Sequence, residues 1–177
     1  MAKRAHYLID GYNVINSWPE LKRLRGNLSE ARDRLLHLLT EYGAFEKYDI
    51  TLVFDAMFTD DEEHVEKINA HTQVIYTGEG ETADSRLERL AYEEARAGRE
   101  VYVVSSDGAV ESVILGAGAS RIPSLEFRKT VLRTKKELRH DYLGKVRLPN
   151  SRYVVSDRLD PETAQKLDAL RKARGKD

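Results

Sequence analysis

The sequence predicts an α/β domain with a mostly parallel central sheet flanked by helices. Four short apolar runs, rich in β-branched and aromatic residues, show little alternation between polar and apolar side chains. That pattern is typical of strands that are covered on both faces. Segments with helical periodicity separate the four runs, as crossover connections between parallel strands require. The length of 177 residues suits one domain of this kind.

The predicted strands and helices alternate along the chain. The strands are residues 7–9, 50–54, 73–76 and 101–104. Ser29 is the expected N-cap of the first helix, and Gly98 is expected to end the second. The helices are residues 29–46, 82–97, 110–115, 124–143 and 160–174. We expect residues 1–145 to form the domain and residues 146–177 to add a basic arm and helix to the same unit.

Composition excludes several classes of protein. No apolar run approaches the ~20 residues that a membrane-spanning helix needs. The first ten residues lack the apolar stretch of a signal peptide. Cysteine is absent, which excludes disulfides, thiolate metal sites and cysteine nucleophiles. We therefore expect a cytoplasmic protein with no membrane contact.

The net charge of −1 conceals an asymmetry. Residues 1–120 hold 13 Lys and Arg against 22 Asp and Glu, and residues 121–177 hold 16 against 8. An acidic body with a basic C-terminal part is a pattern that indicates nucleic-acid or membrane contact. Solvated helix faces that happen to be basic are the alternative explanation.

Aspartates lie at the ends of the predicted strands. Asp10, Asp55 and Asp107 follow three of the four strands, and Asp84 lies in the first turn of the helix after the remaining one. In parallel α/β sheets, ligands bind outside the carboxyl ends of the strands. Taken singly, each acid has an ordinary alternative as a turn residue or a helix cap. Together the four would repel one another, and a divalent cation is the simplest compensation.

Oxygen ligands without cysteine favour Mg²⁺ or Mn²⁺, as one ion or a pair. A hard cation held by carboxylates and open to water implies hydrolysis of phosphodiesters. Asn13, Ser106 and Glu81 lie beside these acids in the sequence and are candidates for supporting roles. For Ser106, hydrogen bonding within a turn is an equally good explanation.

Four motifs occur in order along the chain: Asp10-Gly11-Tyr12-Asn13-Val14-Ile15, Val53-Phe54-Asp55-Ala56, Glu81-Thr82-Ala83-Asp84 and Ser105-Ser106-Asp107. Together they resemble the YacP-like group of NYN-domain proteins, bacterial relatives of the PIN-domain nucleases. The stretch from Gly116 to Arg121, followed by Ser124 and Glu126, also resembles that group. One departure is Val110-Glu111, where the group often has Glu-Gln; Glu111 lies one helical turn beyond the last of the four aspartates.

The resemblance implies a PIN-like three-layer fold and metal-dependent endonucleolytic cleavage of RNA. It also implies that Asp10, Asp55, Asp84 and Asp107 are the catalytic, metal-binding acids of the family, with Asn13 beside them. Some members of the group are thought to act on RNA at the ribosome, so the resemblance implies mRNA and the ribosome as candidate partners. A non-catalytic RNA- or ribosome-binding module with the same fold is the alternative function.

Cationic and aromatic side chains provide candidates for binding single-stranded RNA. Trp18 accompanies one cluster near the first acid, although packing of its loop is an equally good explanation. The basic helix near the C-terminus provides the remaining candidates, which its periodicity spreads around much of its surface. The candidates are Tyr12, Lys22, Arg23, Arg25, Arg121, Arg128, Lys129, Lys135 and Lys136.

Other chemical motifs are absent from the sequence. The five histidines share no metal-ligand spacing, and the glycines of residues 78–80 and 116–118 match no phosphate or dinucleotide loop. We therefore expect no nucleotide cofactor. A receiver-like domain with Asp55 as phospho-acceptor is a third hypothesis, but the chain lacks the acidic pair and the late-strand lysine that it requires.

Overall fold

The computed structural model describes residues 3–56, 63–108 and 111–145. Strands and helices alternate through most of this part of the chain, as the sequence predicts. In chain order the elements are β1 (His6–Asp10), α1 (Gly11–Ser17), α2 (Pro19–Lys22), α3 (Leu28–Glu46), β2 (Asp49–Phe54), β3 (His64–Lys67), β4 (Thr72–Tyr76), α4 (Ala83–Arg96), β5 (Val101–Val104), α5 (Glu111–Ala117), β6 (Ser120–Ile122) and α6 (Ser124–Lys145).

The six strands form one sheet in the order β3-β4-β2-β1-β5-β6. The pairs β4–β2, β2–β1, β1–β5 and β5–β6 are parallel, and only the edge strand β3 runs antiparallel to its neighbour. The carboxyl ends of β1, β2 and β5 therefore lie side by side in the middle of the sheet. The predicted mostly parallel α/β fold is confirmed.

Helices cover both faces of the sheet because alternate strand residues point to opposite sides. Tyr7 and Ile9 of β1 pack with α1, α2, α3 and α6 in one hydrophobic core. Leu8 of the same strand packs with α4 and α5 in the other. The result is a three-layer arrangement, and each of these three side chains is buried.

Trp18 is fully buried between α1 and α2, which supports the packing explanation for this residue. Its indole Nε1–H donates a 2.8 Å hydrogen bond to the carbonyl oxygen of Ser124, and its ring lies 6.1 Å from that of Phe127. The side chain therefore attaches the loop after α1 to the start of α6, and it is not available to stack on RNA.

Several element boundaries differ from the prediction. The prediction of Ser29 as N-cap is wrong: Asn27 caps α3, because its side-chain oxygen accepts the Glu30 N–H at 3.2 Å. The prediction for α4 is confirmed to within a residue, with Thr82 as its N-cap and Gly98 beyond its end at a φ of 72°. The elements β3, β6, α1 and α2 were not predicted.

The chain divides into a compact unit, Met1–Leu138, and a second unit, Arg139–Asp177. Within the second unit the structure describes only the end of α6, so the predicted arm and the helix at 160–174 lie outside the described residues. In the described part of the chain, no helix is long and apolar enough to cross a membrane.

Candidate active site

Asp10 lies at the end of the central strand β1 and is the N-cap of α1. Its Oδ1 accepts the Asn13 backbone N–H at 3.0 Å. The chain turns into α1 at Gly11, where a Cβ would lie 2.2 Å from Cε1 of the Phe54 ring. Only glycine therefore allows the helix to start this close to the end of β2, and this start brings Asp10 to the edge of the sheet.

Burial raises the pKa of Asp10 to about 6 from an ordinary value of 3.8. The hydrogen bond from the Asn13 N–H opposes this shift, while the negative charges of Asp84, Asp55 and Asp107 add to it. The four carboxylates are thus close enough for their charges to interact across the edge of the sheet.

Asp55 follows β2 and joins this strand to the N-terminus of α4. Its Oδ1 accepts the Ala83 backbone N–H at 2.7 Å, and the Thr77 hydroxyl lies 3.5 Å from the same oxygen. Thr77 is fully buried, and its Oγ1 also accepts the Ala56 N–H at 3.2 Å. The carboxylate therefore has a structural role at a helix N-terminus in addition to its position among the acids.

Asp84 lies in the first turn of α4. Its Oδ1 is buried and has no hydrogen-bond partner among the described residues. Burial raises the pKa of this carboxyl group, and the charges of Asp107, Asp55 and Glu88 raise it further. A buried carboxylate oxygen without a hydrogen-bond partner destabilises the folded state, so it indicates a position at which a bound ligand would contact this oxygen.

Asp107 is held by the loop that follows β5. Its backbone N–H donates to Oγ of the buried Ser105 at 3.2 Å, and the N–H of the preceding residue, Ser106, donates to Asn13 Oδ1 at 3.0 Å. The Ser124 hydroxyl donates to the same oxygen at 2.6 Å. Asn13 therefore connects α1, the β5–α5 loop and α6 at the acid edge, by which we mean Asp10, Asp55, Asp84 and Asp107.

The sequence did not point to three of these positioning residues. Thr77 and Ser124 act through buried hydroxyl groups whose partners lie 22 and 111 residues away, so local patterns give no indication of them, whereas the buried Ser105 hydroxyl acts on Asp107, two residues later. The only available signals were the Ser-Ser-Asp motif and the place of Ser124 in the family resemblance.

Two further acids near the site are engaged in ion pairs. Glu81 contacts Arg86 at 2.6 Å and Arg89 at 2.9 Å, and the buried Arg86 guanidinium also contacts Glu63 at 2.6 Å. Glu81 therefore stabilises the start of α4 through these arginines. Glu111, at the start of α5, lies 3.3 Å from the Arg121 guanidinium.

The chemistry of the acid edge fits a hard divalent cation. Carboxylate oxygens are the ligands that Mg²⁺ and Mn²⁺ prefer, and the orphaned oxygen of Asp84 together with the mutual repulsion of the acids would be relieved by a cation. Among the described residues, no three acidic or histidine side chains converge tightly enough to enclose an ion by themselves. Such an arrangement suits an ion that is held through one or two carboxylates and keeps several waters.

The predicted RNA-binding residues fall into two groups. Arg121 and Arg128 are engaged within the protein: Arg121 donates to the Ser105 carbonyl oxygen at 3.2 Å, and Arg128 contacts Glu20 at 2.9 Å. Tyr12 is half-buried, and its hydroxyl accepts from Arg32 at 3.3 Å. The others are side chains on α2, on the turn after it and on α6, and all except the half-buried Lys135 are exposed: Lys22, Arg23, Arg25, Lys129, Lys135 and Lys136.

Comparison with known proteins identifies the family. Residues 7–172 match the family model of the YacP-like NYN domain. The chain belongs to this family. It is 38% identical over 125 residues to YacP of Bacillus subtilis (strain 168), which covers 70% of this chain and 73% of that protein. The predicted family is therefore confirmed.

Crystal structures of Rae1 (YacP) from Bacillus subtilis have the same fold. One matches with a TM-score of 0.64 and 31% identity over 94% of each chain. A mutant form matches with a TM-score of 0.66 and 34% identity over 76% of this chain and 79% of the other. Membership in the YacP-like NYN family implies a PIN-like nuclease with RNA as substrate, and proteins of this kind generally depend on metal ions.

Proposed function

We propose that the protein is a Mg²⁺- or Mn²⁺-dependent endoribonuclease that hydrolyses phosphodiester bonds in single-stranded RNA. The observation that carries this proposal is that Asp10, Asp55, Asp84 and Asp107 lie at one edge of the sheet, where the pKa of both Asp10 and Asp84 is raised and one buried oxygen of Asp84 has no hydrogen-bond partner among the described residues. A fold that only bound RNA would gain nothing from keeping these charges together.

In this proposal Asp10, Asp55, Asp84 and Asp107 together hold the metal ion or ions, one or two of the carboxylates by direct contact and the others through the waters of the ion. A divalent ion bound there supplies Lewis acidity and makes water a stronger nucleophile near neutral pH. The acids hold their positions through the contacts described above: Asp10 at the start of α1, Asp55 against α4, and Asp107 in a loop that Asn13 fixes through the Ser106 N–H.

Exposed cations would neutralise the phosphates of the RNA strand. Lys22, Arg23 and Arg25 follow α1 closely in the chain, and α1 begins at the acid edge. Tyr12, Arg121 and Arg128 would contribute only by exchanging a present hydrogen-bond or ion-pair partner for RNA. Lys129, Lys135 and Lys136 would extend the basic surface along α6, and mRNA on the ribosome is the substrate that we would test first.

Cleavage of end-labelled single-stranded RNA by the full-length protein tests the proposal. We expect cleavage with Mn²⁺ or Mg²⁺, no cleavage with EDTA, and a loss of at least about 100-fold in rate for Asp10→Asn and for Asp84→Asn, because each removes a charge that binds the metal. Asp33→Asn is the matched control, since Asp33 is an exposed aspartate on α3. Its rate should equal that of the unaltered protein.

The same assay separates the proposal from the RNA-binding alternative. A protein that binds RNA but cleaves nothing with either metal is a binding module. Cleavage that survives unchanged in both acid-edge variants would mean that the activity comes from another site or from a contaminant. Charge reversal of Lys135 and Lys136 should weaken binding and make it less dependent on salt without removing cleavage at saturating RNA.

A further inference from the structure

A groove of about 500 Å³ lies between α4 and α5, outside the acid edge. Its α4 wall includes Ser85, Glu88 and Tyr92, which follow one another at helical spacing on one face. Its α5 wall is formed by Val113, Gly116 and Ala117. The volume lies in the range of ~300–1,000 Å³ that is typical of pockets for small organic groups.

The groove exists because the α5 wall has small side chains where the α4 wall has a large one. A Cβ built on Gly116 meets no atom within 4 Å, so the space beside it is open. Tyr92 is 49% exposed and Val113 is also 49% exposed, although Leu87 and Ala91 of α4 and Ile114 of α5 are buried in the core. An exposed aromatic ring beside an open apolar wall is a feature that the fold itself does not require.

The groove and the acid edge share the helix α4. Ser85 and Glu88 line the groove, and Asp84 of the acid edge is the neighbour of Ser85 and lies one helical turn before Glu88. Tyr92 follows one turn later on the same face. At 1.5 Å of rise per residue, the tyrosine lies about 12 Å along the helix axis from Asp84. This separation corresponds to a short run of nucleotides in an extended strand, not to a single phosphate.

We propose that this groove binds one base of the single-stranded RNA, with the Tyr92 ring as its stacking platform and Val113 as the opposite wall. The inference rests on the proposed nuclease function and assigns part of its substrate-binding surface. Unpaired bases are commonly splayed out and stacked on aromatic side chains. The Arg96 guanidinium lies 5.4 Å from the centre of the Tyr92 ring and donates to its hydroxyl at 2.7 Å, which holds the ring in place.

Charge favours a base over the RNA backbone as occupant. The lining holds one acid, Glu88, and one cation, Arg89, and the Arg89 guanidinium is paired with Glu81 at 2.9 Å. The Glu88 carboxylate would repel a phosphate, whereas it can accept hydrogen bonds from the amino group of a base. Gly116 leaves room for a flat ring, and the exposed cations already named would contact the backbone outside the groove. We therefore assign the base to the groove and the phosphates to the acid edge and the basic surface.

The test measures binding of a single-stranded oligoribonucleotide to the full-length protein by fluorescence anisotropy, with Ca²⁺ in place of Mg²⁺ and the RNA checked for integrity afterwards. We expect Tyr92→Ala to raise the Kd at least about 5-fold, the lower end of what a base stacked on an aromatic ring contributes. Tyr92→Phe should keep most of the affinity. Gly116→Leu, which fills the groove, should match the loss in Tyr92→Ala, whereas Gly116→Ala should have a small effect.

Replacing one nucleotide at a time by an abasic unit provides the deciding readout. In the unaltered protein, one abasic position should weaken binding, and in Tyr92→Ala that position should no longer matter, because the base and the ring interact only with each other. Tyr142→Ala is the matched control: Tyr142 is also an exposed tyrosine on a helix, and its removal should leave the positional effect intact.

The outcomes distinguish this inference from the proposed nuclease function. A positional effect that persists in Tyr92→Ala, or an unchanged Kd in Gly116→Leu, overturns the base-binding groove even if the protein cleaves RNA. Conversely, loss of the positional effect in a protein that cleaves nothing with Mn²⁺ supports the groove and refutes the nuclease.

Discussion

Replacing Asp10 by asparagine should stabilise the protein while it abolishes cleavage. The pKa of about 6, against an ordinary 3.8, means that the charged carboxylate is less favourable in the folded state than in the unfolded state. At about 1.36 kcal/mol per pKa unit, this difference corresponds to about 3 kcal/mol. Asparagine is an equally good N-cap, so the bond from the Asn13 N–H can be kept. Because the amide is also polar and half-buried, we expect a gain of about 1 to 2 kcal/mol.

Urea unfolding in EDTA at pH 7.5 measures this gain. The raised pKa also fixes the direction of the pH dependence. Above pH 6 the Asp10 carboxylate is charged in the folded protein and lowers the free energy of unfolding by its full amount. As the pH falls from 6 toward 3.8, the folded protein takes up a proton at Asp10 before the unfolded chain does, and this destabilisation disappears. The advantage of Asp10→Asn should therefore shrink over that interval. Asp33→Asn, the exposed control, should stay within about 0.5 kcal/mol of the unaltered protein at every pH.

Metal ions should reverse the order of stability. A cation at 100 times its Kd stabilises the folded state by about 2.7 kcal/mol, and the variant, with one ligand fewer, should gain less. The reasoning is refuted if Asp10→Asn is less stable than the unaltered protein in EDTA, or if its advantage does not change between pH 7.5 and pH 4. Either result would mean that burial and the neighbouring carboxylates do not raise the pKa of Asp10 in the folded protein.

Three further substitutions test the packing and electrostatics around the sheet by urea unfolding. Gly11→Ala should cost about 1 to 3 kcal/mol or more, because the new Cβ would overlap the Phe54 ring, whereas Gly26→Ala, with no atom within 4 Å, should be nearly neutral. His6→Gln should reduce the loss of stability below pH 6.5. Burial, followed by the nearby Arg99 charge, lowers the pKa of His6 in the folded protein. The unfolded chain therefore takes up a proton at His6 before the folded protein does, which favours unfolding as the pH falls. Trp18→Phe should cost about 1 to 3 kcal/mol, because a buried backbone carbonyl loses its indole donor; an unchanged midpoint would contradict that assignment.

The central strands were predictable because burial on both faces leaves a continuous apolar run. Residues 50–54 and 101–104 lie inside the observed β2 and β5 for this reason. The edge strand β3 was not predictable, since the sequence His64–Lys67 is exposed throughout and pairs on one side only. β6 has just three residues, two of them polar, so its composition gives no strand pattern, and it is a strand because it pairs with β5.

The positions of the acids were predictable, but the contacts that hold them were not. Parallel strands bring their carboxyl ends to one edge, so the proximity of Asp10 and Asp55 follows from the order of elements alone. The helix α1 was not predicted because a glycine directly after an aspartate is typical of a turn. This glycine, Gly11, is instead the first residue of a seven-residue helix, and it packs directly against the ring of Phe54, which is distant in the sequence. Long-range contacts of this kind leave no trace in a local pattern.

Asn13 also determines when the acid edge can assemble during synthesis. Its one amide oxygen accepts from Ser106, 93 residues later, and from Ser124, 111 residues later. A chain that is still emerging has Asp10 and Asp55 long before it has the residues that fix the loop of Asp107. Contacts this far apart form late in folding. We therefore expect the acid edge of a nascent chain to stay incomplete until α6 has been made.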